Sequence, residues 1–419
     1  MNISPIELLK KNRFDVLAKY LYGKYRTHET SFATDLYKEH LRVWNNFNEL
    51  DNNDKNSFAD FSVVFDELID DIRLNGFNVT KGTVPVTNNM ELLNGSHRLA
   101  ACILSNCDVG YHIAKSENEG QFDCSSFYFQ NKGLDIKYLD MMATEYAKLK
   151  SNTFIVSLFP SAVSQGQQKV NEAYRILQDN SNVVYLKQIP HKHNGPLNIT
   201  RQLYLDEDWG LSWENNFSGL VQKAKLCFTD PSPAIVFLVE LENQDAAIRL
   251  KDMIRRVFDI GKHSCHINDY HEETVRLARV FFNDNSVHYM NSSSFVYYPK
   301  FYGMLKYYRK YIDDNDLDSD DFCVTASSIL SLYGLREGND LDYLHGNAYQ
   351  KIEGHEEIHS HNEEIHNYTK TIDDIVYNPE NHFYFDGVKF ASLGVIKELK
   401  EKRNEPKDIK DVELMIGVI

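Results

Sequence analysis

Two aspartates two residues apart, Asp340 and Asp342, are the side chains best suited to chemistry in this 419-residue chain. Residues i and i+2 of a strand point the same way, so the pair would present hard oxygen donors together. Such donors suit Mg2+, which also takes water and substrate phosphates. About a dozen residues upstream, the turn Ala326-Ser327-Ser328 follows a strand-like run and precedes a short helix. Its hydroxyls and backbone N–H groups could seat a phosphate, and Arg336 lies between the two features as a further phosphate ligand.

The stretch Phe322–Leu344 resembles the nucleotidyltransferase superfamily, in which a small Gly-Ser or Ser-Ser turn is followed by Asp-x-Asp or Asp-x-Glu. Ala326 stands where glycine is usual. A second stretch, Phe390–Asp411, is similar to the ending of antibiotic-modifying and antitoxin-linked members: a strand, a lysine-bearing helix, then Lys407-Asp408-x-x-Asp411. Lys397, Lys400 and Arg403 recur there at i, i+3, near one helical face turned to phosphate or to solvent. The resemblance covers about a quarter of the chain. It implies Mg2+ held by a catalytic pair, Asp340 and Asp342, with nucleoside triphosphate phosphates on Ser327, Ser328, Arg336 and Lys397. The family usually adds a third carboxylate on a neighbouring strand. Asp386 is the first candidate, but Asp386-Gly387 between alternating apolar residues is a hairpin-turn signal. Asp373 and Asp374 come after it.

A second constellation lies near the start. Asn94-Gly95 closes a strand-rich stretch, and a helix opens with Ser96-His97-Arg98. Glycine lets backbone approach a ligand, Ser96 can cap the helix, and a helix N-terminus favours an anion beside the cationic donors His97 and Arg98. Residues 57–115 resemble the ParB/sulfiredoxin fold, whose Gly-x-His-Arg box binds nucleotide phosphates. Sulfiredoxin requires cysteine where Ser96 stands. The DNA-partition branch is set aside by an acidic chain with no helix-turn-helix after the box. What the resemblance then implies is ATP or another nucleotide at Gly95, Ser96, His97 and Arg98, as in small-molecule kinases and glycan-locus proteins.

Two histidine-rich tracts complete the inventory. His263, His266, Asp269 and His271 crowd one stretch. A strand, an Asn268-Asp269 cap and a helix 270–281 account for it, with His266 and Asp269 still placed to contact a substrate. His355-Glu356-Glu357-Ile358-His359 has the spacing of a zinc-protease helix. Its polar, acidic flanks instead indicate a surface helix or loop bordering the mouth of the Asp340/Asp342 site.

The elements that must hold these residues alternate in type. Helical periodicity marks residues 1–50 and 57–75, while 154–159, 183–189 and 234–241 read as buried strands. The expectation is a multidomain α/β (α+β) chain: a helical preamble plus ParB/sulfiredoxin-like domain (1–125), a central α/β domain of unknown role (150–300) and a nucleotidyltransferase-like mixed sheet with helices (301–419). The net charge of −16 opposes nucleic-acid binding. No apolar run is long enough for a transmembrane span, the first eleven residues lack a signal-peptide core, and six scattered cysteines indicate a reducing compartment, so the expected location is cytoplasmic. The expected function is Mg2+-dependent nucleotidyl or phosphoryl transfer from ATP or another triphosphate to a small metabolite, sugar or polyol, in the context of surface-glycan assembly. The alternatives are an ATP-dependent kinase confined to the N-terminal module with a degenerate C-terminal domain, and a toxin-type nucleotidyltransferase or non-enzymatic nucleotide-binding protein.

Overall fold

The computed structural model describes residues 1–48, 55–114, 123–207, 217–294, 296–346 and 351–418. Apolar residues at helical spacing build a first unit, Met1–Thr153 with the short segments Ser181–Tyr185 and Leu238–Glu240. Its longer helices are α1 (Phe14–Tyr25), α2 (Phe32–Asn45), α3 (Phe58–Asn75), α4 (Ser96–Ser105) and α5 (Ile136–Leu149). Leu17, Leu21, Phe65, Ile69 and Leu99 bury their apolar faces together. Ser57 and Asp60 close a capping box at the start of α3, which fixes where that helix begins. A three-stranded sheet of order β1-β3-β2 joins β1 (Asn2–Ile3), β2 (Val84–Val86) and β3 (Val109–Ile113). The unit extends beyond residue 125 because α5 packs on α1, with Phe14 and Tyr146 stacked at 6.0 Å between ring centres.

The second unit comprises Phe154–Asn180, Leu186–Phe237 and Leu241–Ile419. Two sheets have most of their residues in it. One has the order β5-β6-β4-β7, from β4 (Thr153–Leu158), β5 (Asn182–Ile189), β6 (Ala234–Glu240) and β7 (Cys265–Ile267). Around it lie α6 (Gly195–Leu203), α7 (Ser218–Cys227), α8 (Gln244–Phe258) and α9 (His271–Phe281). The other has the order β10-β9-β8-β12-β11, from β8 (Phe322–Thr325), β9 (Leu341–His345), β10 (Ile358–Ser360), β11 (His382–Phe385) and β12 (Val388–Ala391). Short helix α10 (Ser327–Leu332) links β8 to β9, and α11 (Leu393–Arg403) and α12 (Pro406–Ile416) close the chain. The described residues are thus mixed helix and sheet, with three small sheets.

The expected boundary near residue 300 falls inside this second unit. Asp386 accepts hydrogen bonds from Arg201 Nε at 3.0 Å and Gln202 Nε2 at 2.8 Å, which fastens the β11–β12 turn to the end of α6. Asp386 and Gly387 both have positive φ, 51° and 76°, as the central residues of an Asp-Gly hairpin require. Asp386 is therefore a turn residue paired to an arginine, in keeping with the turn signal. Among the described residues, no helix is long and apolar enough to cross a membrane.

Candidate functional site

Strands β8 and β9 run antiparallel and set Thr325 opposite Asp342. Between them the chain turns at Ala326, whose φ of 53° and ψ of −133° lie in a region glycine occupies more easily. With alanine at this positive φ, the turn holds backbone strain. Ala326→Gly is expected to raise stability by about 0.5–1 kcal/mol, the strain relieved less the entropy glycine adds to the unfolded chain. Chemical denaturation of the two proteins would measure it.

The turn binds the strand that follows. Ser328 is buried, its Oγ donating to the Asp340 carbonyl at 3.4 Å and accepting from the Asp342 N–H at 3.3 Å. Its hydroxyl is spent on positioning β9, which corrects its expected role as a phosphate seat. Ser327 is half-buried, and its Oγ lies 3.3 Å from Asp340 Oδ1. Asp340 occupies the bend just before β9 and Asp342 the second position of the strand. Burial, and then the neighbouring Asp340 carboxylate, push the Asp342 carboxyl up to about 7, against the pull of Arg403, Lys400 and Lys407. The two carboxylates therefore act on one another beside the Ser327–Ser328 turn.

Around the pair lies a network that local sequence did not disclose. Asp411 receives a two-pronged bond from Arg336, Nε at 2.6 Å and Nη2 at 2.7 Å, while Arg336 Nη1 donates to the Glu337 carbonyl. Asp408 takes Arg403 Nε and Nη2 at 2.7 and 2.6 Å, and buried Lys400 bridges Asp408 at 3.2 Å and Asp411 at 2.6 Å. Arg336, expected on phosphate, is thus committed to Asp411. Lys397 lies at the surface of α11, 3.7 Å from Glu401. The cations whose charge reaches Asp342 are Arg403, Lys400 and Lys407. The Lys-Asp-x-x-Asp ending is a clamp that ties α12 to α11 and to the loop before β9.

The histidine tract forms no protease helix. His355–Glu357 turn, and Ile358–Ser360 is strand β10, parallel to β9, with exposed His359 in register with Asp342. His361, not singled out from sequence, bonds through Nδ1 to Tyr368 Oη at 2.7 Å, and Tyr368 reaches Thr325 Oγ1 at 3.1 Å. Among the described residues, no three His, Cys, Asp or Glu side chains converge as a metal site.

At the N-terminal constellation, Gly95 has φ 93°, and a Cβ there would meet Val84 Cγ1 at 2.8 Å, so only glycine fits. Ser96 opens α4 and is buried. His97 is not the expected cationic donor. Its Nε2 bonds Tyr37 Oη at 2.8 Å, its ring packs on Phe65 at 4.8 Å, and burial holds its pKa well below the ordinary value. Half-buried against Tyr37 and Phe65, it is held as the neutral imidazole. Arg98 is half-buried, its Nη1 3.4 Å from the Thr83 carbonyl, and pairs with no carboxylate among the described residues.

Comparison with protein-family models, curated proteins and solved structures gave no match for this chain.

Proposed function

We propose that the chain is a Mg2+-dependent enzyme transferring a nucleotidyl or phosphoryl group from ATP or another nucleoside triphosphate to a small metabolite, sugar or polyol. The observation that carries this is the juxtaposition of Asp340 and Asp342 with the Ser327–Ser328 turn, made by the β8–α10–β9 connection. Mg2+ suits the donors. Both are hard carboxylate oxygens, Asp340 disfavours the charge on Asp342, and no described side chain donates a hydrogen bond to Asp342. Asp340 and Asp342 would hold the ion, which supplies neutralisation of the phosphate charge.

The chain's own residues supply position. Ser328 fixes the backbone of β9 on both sides of Leu341, so the carboxylates keep their spacing. Ser327, on the rim, offers its hydroxyl to a phosphate oxygen. Lys400 and Arg403 add positive charge beside Asp342 while held in place by Asp408 and Asp411.

The test is incubation with ATP labelled at the α- or γ-phosphate, Mg2+ and a panel of sugar and polyol phosphates. Label transfer from the α-position means nucleotidyl transfer, and from the γ-position phosphoryl transfer. The Asp340→Asn/Asp342→Asn protein should lose at least about 100-fold in rate. Undiminished turnover in that protein would defeat the proposal. It would favour a kinase centred on Gly95, Ser96 and Arg98, a second reading supported by the half-buried Arg98 at a helix N-terminus.

A further inference from the structure

The second unit contains a cavity of about 670 Å3 that shares no residue with the Asp340/Asp342 site. Its lining includes four cations, Lys223 on α7, Lys251 and Arg255 on α8, and Lys262 just before β7. Glu207 and Asp269 are the two carboxylates among its described lining residues. In a chain with a net charge of −16, a cation-rich concavity is a concentrated reversal of sign.

The pairing of these cations is the informative part. Lys251 reaches Asp269 at 3.5 Å. Lys223 is buried, and its ammonium donates to the Lys262 carbonyl at 2.6 Å and lies over the rings of Tyr204 and Phe159 at 5.3 and 5.4 Å. Among the described residues it has no carboxylate partner, and burial lowers its pKa. Among the described residues, Arg255 has one ion pair, to Asp252 at 3.9 Å, and its Nε is buried without a hydrogen-bond partner. Lys262 is exposed and unpaired by any described carboxylate. Neutral histidine completes the wall. His263 has its pKa lowered by burial and by the repulsion of Lys223 and Lys262, and His266 Nε2 is buried with no hydrogen-bond partner, 3.7 Å from Glu273.

A buried ammonium and a partly buried guanidinium are costly without a counter-charge, and a bound anion would supply one. Carbonyl and ring contacts soften the cost for Lys223 without neutralising it. The volume is that of a small-molecule site rather than a groove for a polymer. Arg255 brings a planar fork and the lysines bring point charges, the combination that recognises phosphate oxygens. The histidines add donors for the oxygens or for a neighbouring hydroxyl.

We propose that this cavity binds a small phosphorylated metabolite, through Lys223, Arg255 and Lys262, with Lys251 assisting. The site stands independently of the transfer chemistry assigned to Asp340 and Asp342. A phosphomonoester and a diphosphate share the recognition chemistry, and the two are separable by titration.

The experiment is isothermal titration of the full chain, in EDTA, with inorganic pyrophosphate, glucose 6-phosphate and, as a carboxylate polyanion, citrate. Pyrophosphate or glucose 6-phosphate should bind in the submillimolar range, and the tighter of the two identifies the diphosphate or monoester form. Arg255→Gln, a change at a partly exposed side chain, should weaken that binding about tenfold, and Lys223→Met about as much. The Asp340→Asn/Asp342→Asn protein should bind as the unaltered chain does, which separates this site from the transfer site. Absence of binding by both phosphates up to about 10 mM, citrate binding as tightly as they do, or affinity unchanged in Arg255→Gln would each overturn the assignment.

Discussion

Asp408→Ala is expected to destabilise the protein by about 3–5 kcal/mol, the largest loss from any single change at the C-terminal clamp. Asp408 is fully buried and accepts from Arg403 Nε and Nη2, Lys400 Nζ and the Glu405 N–H. Alanine would leave the buried Lys400 ammonium with Asp411 alone and free the Arg403 guanidinium from its fork. Burial by itself would raise the Asp408 carboxyl, yet bonding to Arg403 and Lys400 holds it down at about 2. A carboxylate with a depressed pKa contributes stability that is complete above its ordinary value of 3.8 and is lost as pH falls toward 2. The deficit of Asp408→Ala should therefore be full at pH 7 and shrink below about pH 4. Urea denaturation at pH 7 and pH 3 measures both. A deficit under about 1 kcal/mol at pH 7 would mean that solvent reaches and relaxes the cluster.

The clamp also shows where sequence reading stops. Lys397, Lys400 and Arg403 recur every three residues, but three residues advance a helix by about 300°, so each falls about 60° short of the last. That single step of about 60° leaves Lys397 at the surface and turns Lys400 inward. The phosphate-facing stripe is thus split by helical phase alone. Arg336 went astray for another reason: its partner Asp411 lies 75 residues downstream, and no local pattern joins them.

Features that depend on neighbouring residues were legible. The strands 154–159 and 234–241, the helix 57–75 and the Asp386-Gly387 turn follow from period, capping and glycine chemistry, and they stand where expected within a residue or two. The two-residue strand Asn2–Ile3 carries no such signal, because it exists only as the partner of Val109–Gly110. His97 illustrates the same limit at a site. Beside Gly95 and Arg98 it reads as a cation, and Tyr37, 60 residues earlier, engages its Nε2 in a half-buried aromatic setting that disfavours the charge. Of the central cavity, only His266 and Asp269 were legible as substrate contacts. Its cations come from α7, α8 and the segment before β7, spaced without any period, and only the fold brings them to one wall.

Asp342→Asn should make the metal-free protein more stable at pH 8, by about 2 kcal/mol, roughly half of what a fully enclosed carboxylate with this pKa would give. The folded-state value of about 7 lies above the ordinary 3.8, because burial and Asp340 both disfavour the charge. Between those two values the folded protein keeps a proton that the unfolded chain releases. Stability therefore falls as pH rises from about 4 to about 7 and is level beyond. Asparagine copies the protonated form in shape and lacks the charge, so its advantage should be absent near pH 4 and complete by pH 8. Thermal denaturation of both proteins across this range, in EDTA, would trace the curve. Adding Mg2+ at pH 8 should reverse the order: the ion stabilises a chain with both carboxylates by binding only its folded form, and leaves the asparagine variant nearly unmoved. An advantage that stays constant from pH 4 to pH 8 would show the carboxyl to be freely hydrated. Equal Mg2+ effects on the two proteins would remove the cation from Asp342, and with it the physical ground for transfer chemistry at the Ser327–Ser328 turn.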